Sequence, residues 1–177
     1  MKNKLNKRAI IFSALLLLVT DIYSQQNKIK DLRFLIGTWE VRENNKETEW
    51  WEKCIRTGQF ILDSTYIQME STAITSTGKQ RVYRFLIHYN SEDQQFEMVS
   101  IYSNWPKVQF DILTWNSKKR ILTIKNKNEV NEYHERFGEI VFNENFNEYI
   151  WVGENKYGDS NKPSVWKYEE KGIRIKK

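Results

Sequence analysis

Cysteine is nearly missing from this chain. Cys54 is the only one in 177 residues, which excludes an internal disulfide and leaves it as a small buried apolar residue. Proline occurs only at 106 and 163, and histidine only at 88 and 134. Two histidines and one cysteine in separate segments make a poor zinc set, because zinc wants several N or S ligands together. No metal and no cofactor are therefore expected. The chain has no Gly-x-Ser-x-Gly elbow and no phosphate loop, so no catalytic residue can be assigned by motif. Repeats, low-complexity tracts and composition breaks are absent as well, which points to a single domain.

Strong charge of one sign is also lacking. The whole chain has a formal net charge of +5, but its first 24 residues hold four of the basic residues and one acidic residue, Asp21. The remainder carries 24 basic and 22 acidic residues, a net of +2. That balance gives no reason to expect a nucleic-acid partner or an anionic membrane surface.

What is present begins with a leader. Lys2, Lys4, Lys7 and Arg8 form a basic segment, followed by an apolar run from Ala9 to Thr20. About a dozen residues are too few to span a bilayer but suit a signal peptide. Ile22-Tyr23-Ser24 offers a small residue at the cut, expected before Gln25. The expected domains are thus a signal peptide, 1–24, and a secreted or periplasmic domain, 25–177, of about 153 residues. No stable membrane insertion is expected after cleavage, and the sequence leaves the oligomeric state open.

Aromatic residues make up 14% of the chain, with seven Trp and nine each of Tyr and Phe. They recur in short runs separated by Asn, Gly and Ser, the pattern of an antiparallel all-β protein. A short helix or turn is expected over 29–35. Ten strands are expected over 37–43, 47–56, 59–70, 79–89, 95–103, 107–115, 120–125, 130–142, 148–156 and 164–170. Turns are expected at Gly58 and Gly78 and at Asn-rich sites such as Asn90, Asn116, Asn128 and Asn143, where positive φ is tolerated. In 79–89, Tyr83, Phe85, Ile87 and Tyr89 share a face. In 107–115, Val108, Phe110 and Ile112 oppose Gln109 and Asp111 and are expected to point inward. One apolar face per strand means one wet side and one packed side, and closing the sheet removes its edges.

Three segments carry a family resemblance: Phe34-Leu35-Ile36-Gly37-Thr38-Trp39-Glu40 at the mature N-terminus, Leu86-Ile87-His88-Tyr89-Asn90 before a hairpin, and Trp166-Lys167-Tyr168 near the end. On these the chain resembles a lipocalin-like (calycin) barrel, and more narrowly secreted bacterial families with a Gly-Thr-Trp-Glu opening. The resemblance implies an up-and-down β-barrel of about ten strands with a cavity and a short N-terminal helix or turn plugging one end. It also implies a basic residue from the last strand packed over Trp39, either Arg174 or Lys167. Gly37 and Trp39 read as structural: Gly lets the chain turn closely into the barrel and Trp fills its closed end. His134 would suit a haem as in nitrobindin-type barrels, but Glu40 and Arg42 follow Trp39 where those have glycines, so haem is not expected.

In an up-and-down barrel alternate connections share a rim. One rim would carry what read as long segments, 71–78 and 157–163, and the Trp105-Pro106 tip, which makes it the expected mouth. Tyr66, Arg81, Tyr83, Tyr102, Trp105 and Trp151 are the ligand-binding candidates. Glu43, Glu47, Glu49 and Glu52 read as solvent-facing, as does His88, and Lys118-Lys119-Arg120 as a solvated turn. The expected function is binding of a small, mostly apolar or aromatic molecule. The alternatives are an enzyme with its active site at the mouth, a hydrolase or isomerase, and a filled barrel serving as an interaction module.

Overall fold

A computed structural model describes residues 28–126, 133–159 and 161–176. The expected leader, its cut site, Asn128 and residues 130–132 of the eighth strand lie outside the described residues. The chain enters through a 3-10 helix, Lys30–Leu35. Ten strands follow: β1 Gly37–Asn45, β2 Trp51–Ile61, β3 Tyr66–Thr75, β4 Gln80–Asn90, β5 Gln95–Tyr102, β6 Gln109–Asn116, β7 Ile121–Asn126, β8 Tyr133–Phe142, β9 Glu148–Asp159 and β10 Lys162–Arg174. Each pairs antiparallel with its sequence neighbours, and β1 pairs with β10 to close the barrel. The protein is an all-β, ten-strand, up-and-down barrel.

Tight packing organises the end where the chain enters. Ile29, Leu32, Phe34 and Leu35 are buried in one cluster with Trp39, Phe142 and Tyr149. The Phe34 ring lies 4.3 Å from that of Trp115 on β6 and 4.7 Å from that of Phe142 on β8. Gly37 has a φ of +121°, a region that L side chains avoid. Arg174 on β10 places its guanidinium carbon 4.2 Å over the Trp39 ring. It also donates hydrogen bonds to the carbonyls of Phe34, Ile36 and Phe146. That fixes the basic residue as Arg174; Lys167 instead meets Glu47 at 2.9 Å on the exposed surface.

The expected turn at Gly58 is displaced. Gly58 lies inside β2, and the turn falls at Leu62, Asp63 and Ser64, all with positive φ. A Cβ on Gly58 would collide with the Leu35 carbonyl beneath it. This glycine permits close approach of the entering chain and is not a turn residue. The segments taken as long connections at the mouth are also mostly strand. β3 runs to Thr75, and β9 and β10 continue to Asp159 and from Lys162.

The inner face is more polar than expected. At β6 the polarity of the pleat is inverted: Phe110, and Val108 just before the strand, are exposed, while Asp111 and Leu113 are buried. On β2 the inward set is Glu52, Cys54, Arg56 and Gly58. Glu52 is buried, and Glu43 is half-buried on the inner face of β1, so neither is a surface charge. Period-2 alternation assigns two faces but not which one is inside. Here inward charges are tolerated because most of them find opposite charges across the barrel.

Candidate functional site

From the entry end upward, the barrel interior changes from apolar to charged to aromatic. A small apolar void of about 30 Å³ lies among Ile87, Met98, Leu113, Leu122, Ile124 and neighbours. Above it, Arg56 makes a two-pronged ion pair with Glu170. Its Nη1 donates to Oε1 at 2.6 Å and its Nη2 to Oε2 at 2.8 Å. Arg56 Nε also donates to Ser71, and the Tyr149 hydroxyl donates to Glu170 Oε1 at 2.7 Å. Burial alone would lower the Arg56 pKa, but the adjacent Glu170 carboxylate outweighs it and holds the guanidinium firmly charged. Arg56, Phe85 and Trp151 border both this void and the larger space above.

That larger space is a cavity of about 320 Å³. One of its walls is a row of carboxylates. Glu43 pairs in register with Glu170 on one side and with Glu52 on the other, so three acids stand abreast on β10, β1 and β2. Glu52 accepts a hydrogen bond of 2.6 Å from Tyr83 and lies 3.6 Å from Arg81. Burial raises the Glu52 pKa despite those partners. Glu43 has no ion pair among the described residues. Burial, followed by the charges of Glu170 and Glu52, pushes its pKa up to about 8, so it is mostly protonated at neutral pH.

The opposite wall is built on β6, β8 and β9. Arg136 meets Asp111 at 2.9 Å and lies over the Trp151 ring, 5.3 Å from its centre. Burial opposes its charge, but Tyr102 and Asp111 outweigh that and raise its pKa. Gly138 and Gly153 pair in register beneath this wall. Side chains there would strike the Trp151 indole and the Tyr168 ring, so the two glycines make room for those aromatics. Burial and then Arg136 lower the pKa of His134, which also lines the cavity.

Around the opening stand Trp50, Trp105, Tyr157 and Trp166. Trp50 and Trp166 meet edge to face at 5.0 Å, and Trp105 and Tyr157 at 6.2 Å. Arg81 lies over Trp50 at 5.2 Å. These residues mark the rim that carries the β1–β2, β5–β6 and β9–β10 connections.

Of the six ligand-binding candidates, Arg81, Tyr83, Tyr102, Trp105 and Trp151 line this cavity and are brought together by it. Trp105 is 37% exposed. Tyr66 is a correction. It sits at the start of β3, at the other end of the barrel, where it stacks on His88 at 5.2 Å. His88 in turn is half-buried, with its Nε2 3.3 Å from Glu97, and is not a free surface group. Glu47 and Glu49 are exposed as expected, and so are Lys118 and Lys119, while Arg120 is half-buried and donates to the Phe142 carbonyl. Sequence reasoning missed Glu43, Glu52, Arg56, Arg136 and Glu170, the charged framework of the site. A detectable signal was the polar alternation Glu52, Cys54, Arg56 in a strand whose other face also carries an apolar residue, Ile55. Among the described residues no three His, Cys, Asp or Glu side chains converge to hold a metal ion.

The fold is a closed, ten-strand, antiparallel barrel. Among solved structures, the S-type phycobiliprotein lyase CPES from Guillardia theta is similar. It aligns with a TM-score of 0.58 at 10% identity, covering 84% of this chain and 92% of that one. EF1p2_mFAP2b bound to DFHBI aligns with a TM-score of 0.45 at 10% identity, covering 81% of this chain and 96% of that one. At such identity the likeness concerns the fold alone. No protein-family model matches the chain, and no curated protein does.

Proposed function

We propose that this protein is exported and that its barrel binds a small molecule with an aromatic body in the cavity beneath the Trp50–Trp105–Trp166 rim. The observation that carries the reading is the open cavity of about 320 Å³. That lies at the low end of the roughly 300–1,000 Å³ typical of ligand sites. A barrel serving only as an interaction module would fill that space with side chains. The aromatic rim supplies flat apolar surfaces, and the charged row below supplies a polar end that orients the ligand. Export rests on the basic, apolar and small-residue order of 1–24.

Native mass spectrometry of the protein purified from its own host tests the binding reading. A retained ligand gives a reproducible added mass that denaturation removes. Absence of any adduct, together with no heat of binding for small aromatic probes, refutes it. N-terminal sequencing of the same sample checks export, with Gln25 or a neighbour expected as the first residue and an intact Met1 counting against it.

One observation favours a second reading. A carboxyl that is protonated near neutral pH beside two other carboxylates is suited to general acid chemistry. If the barrel turns over its ligand, Glu43→Gln abolishes turnover while leaving binding of a neutral probe intact.

A further inference from the structure

Among the described residues, the cavity is one positive charge short. Four carboxylates among the described residues face the barrel interior: Glu43, Glu52, Asp111 and Glu170. Three guanidinium groups answer them: Arg81 lies 3.6 Å from Glu52, Arg136 2.9 Å from Asp111, and Arg56 2.6 Å from Glu170. Glu43, in the middle of the carboxylate row, is left with no cation among the described residues. His134 does not supply one, because burial and Arg136 disfavour its charged form. A proton on Glu43 closes the balance in the free protein.

A second observation points to the same place. The Tyr168 hydroxyl is buried, with its residue only 3% exposed, and it belongs to the cavity wall. It makes no well-formed hydrogen bond among the described residues, and its one polar neighbour there is the Arg136 guanidinium, which already holds Asp111. Tyr168 comes from β10, two residues from Glu170; burial raises its pKa most, Arg136 opposes that rise, and the charge of Glu43 adds to it. A buried hydroxyl without a well-formed hydrogen bond and a carboxyl without an ion-pair partner therefore share one wall. Above them, Trp50, Trp105 and Trp166 offer aromatic faces, which attract cations through their quadrupoles.

We propose that the ligand of this cavity carries a cationic nitrogen, as in an aromatic primary amine, and that Glu43 is its counter-ion. The inference rests on the small-molecule binding reading and adds the charge of the ligand. On binding, the ammonium group keeps its proton and Glu43 releases its own to solvent, so the cavity stays neutral. Glu43 faces Glu170, Tyr168 and Trp166 from β10, Glu52 and Arg56 from β2, and Arg81 and Tyr83 from β4. None of these cations is free to replace the ligand's, because each already holds a carboxylate.

Isothermal titration calorimetry with three matched probes tests this: 2-(1-naphthyl)ethylamine, 2-(1-naphthyl)ethanol and 1-naphthylacetate. The amine is expected to bind at least about tenfold more tightly than the alcohol at pH 8, a difference of about 1.4 kcal/mol. Comparison of buffers with different ionisation enthalpies is expected to show release of about one proton per amine bound at pH 7, and none for the alcohol. Amine affinity should rise by up to about tenfold per pH unit between pH 6 and 7.5, as Glu43 becomes easier to ionise. Glu43→Gln mimics the protonated acid in shape. It should keep the fold and lose both the preference for amine over alcohol and the proton release. If amine and alcohol bind alike without proton release, the counter-ion role is wrong while the cavity still binds ligands. Tighter binding of 1-naphthylacetate overturns the charge assignment and moves the polar end to Arg136. Failure of all three probes to bind the wild-type protein overturns both this inference and the reading beneath it.

Discussion

Replacing Arg56 by Met removes the cation from the floor of the cavity while keeping much of its volume. The guanidinium makes two short bonds to Glu170, at 2.6 and 2.8 Å, and one to Ser71, and its residue is only 4% exposed. Without it, Glu170 is a buried carboxylate standing in register beside Glu43, itself beside Glu52. Breaking a buried pair from one side typically costs about 3–5 kcal/mol, because the survivor keeps its desolvation penalty and loses its partner. The loss here should approach the upper figure, since the survivor also meets like charge. Glu170→Leu should cost less, because Glu43 can ionise and partly replace the missing anion beside Arg56. The double substitution removes both charges, leaving the Tyr149 hydroxyl without its acceptor. It should be less harmful than the sum of the singles by at least about 2 kcal/mol, the coupling expected of residues in one network. Urea denaturation followed by tryptophan fluorescence measures all three. Strict additivity, or a loss below about 1 kcal/mol for Arg56→Met, would refute the picture of a mutually neutralising floor.

Other consequences follow from the same geometry. Glu43 has a folded-state pKa of about 8, above that of the unfolded chain. The folded protein therefore holds this proton more tightly, and the group's contribution to stability is full below the unfolded pKa and lost as pH rises through about 8. Glu43→Gln should consequently be more stabilising relative to wild type at pH 9 than at pH 6, and an equal effect at both would show that Glu43 is ionised throughout. Trp39 is 1% exposed and lies under Arg174, so Trp39→Ala should cost about 3–5 kcal/mol as a large core truncation. A loss below about 1 kcal/mol in chemical denaturation would mean the entry end does not depend on it. Trp105→Ala should leave stability within about 0.5 kcal/mol, as surface substitutions usually do, while weakening binding of the aromatic probes, and an unfolded variant would place Trp105 in the core.

The architecture was largely legible in the chain. Short aromatic and β-branched runs broken by Asn and Gly predict an antiparallel all-β protein, and the 83–85–87 alternation in β4 places Tyr83, Phe85 and Ile87 inside, where they are. Their logic is local: the pleat has period two, and apolar side chains leave water. The cavity opens at the rim expected to be the mouth, although the connections there are shorter than the sequence suggests. Trp105 and its neighbours mark that rim because the barrel ends there. The charged site was not legible. A run such as Gln109-Phe110-Asp111 looks like an apolar residue facing in and polar ones facing out, yet Asp111 is buried and Phe110 is exposed. Its partner, Arg136, lies 25 positions away, and Arg56 and Glu170 lie 114 apart. Gly58 shows the same limit: alone it reads as a turn, and only the Leu35 carbonyl packed against it makes it a contact residue. The sequence by itself determined strands, their faces in pairs, and the aromatic supply. Which face turned inward, and which charges found each other, was decided by barrel closure, because the cost of burying a charge depends on partners that only the tertiary structure brings within reach.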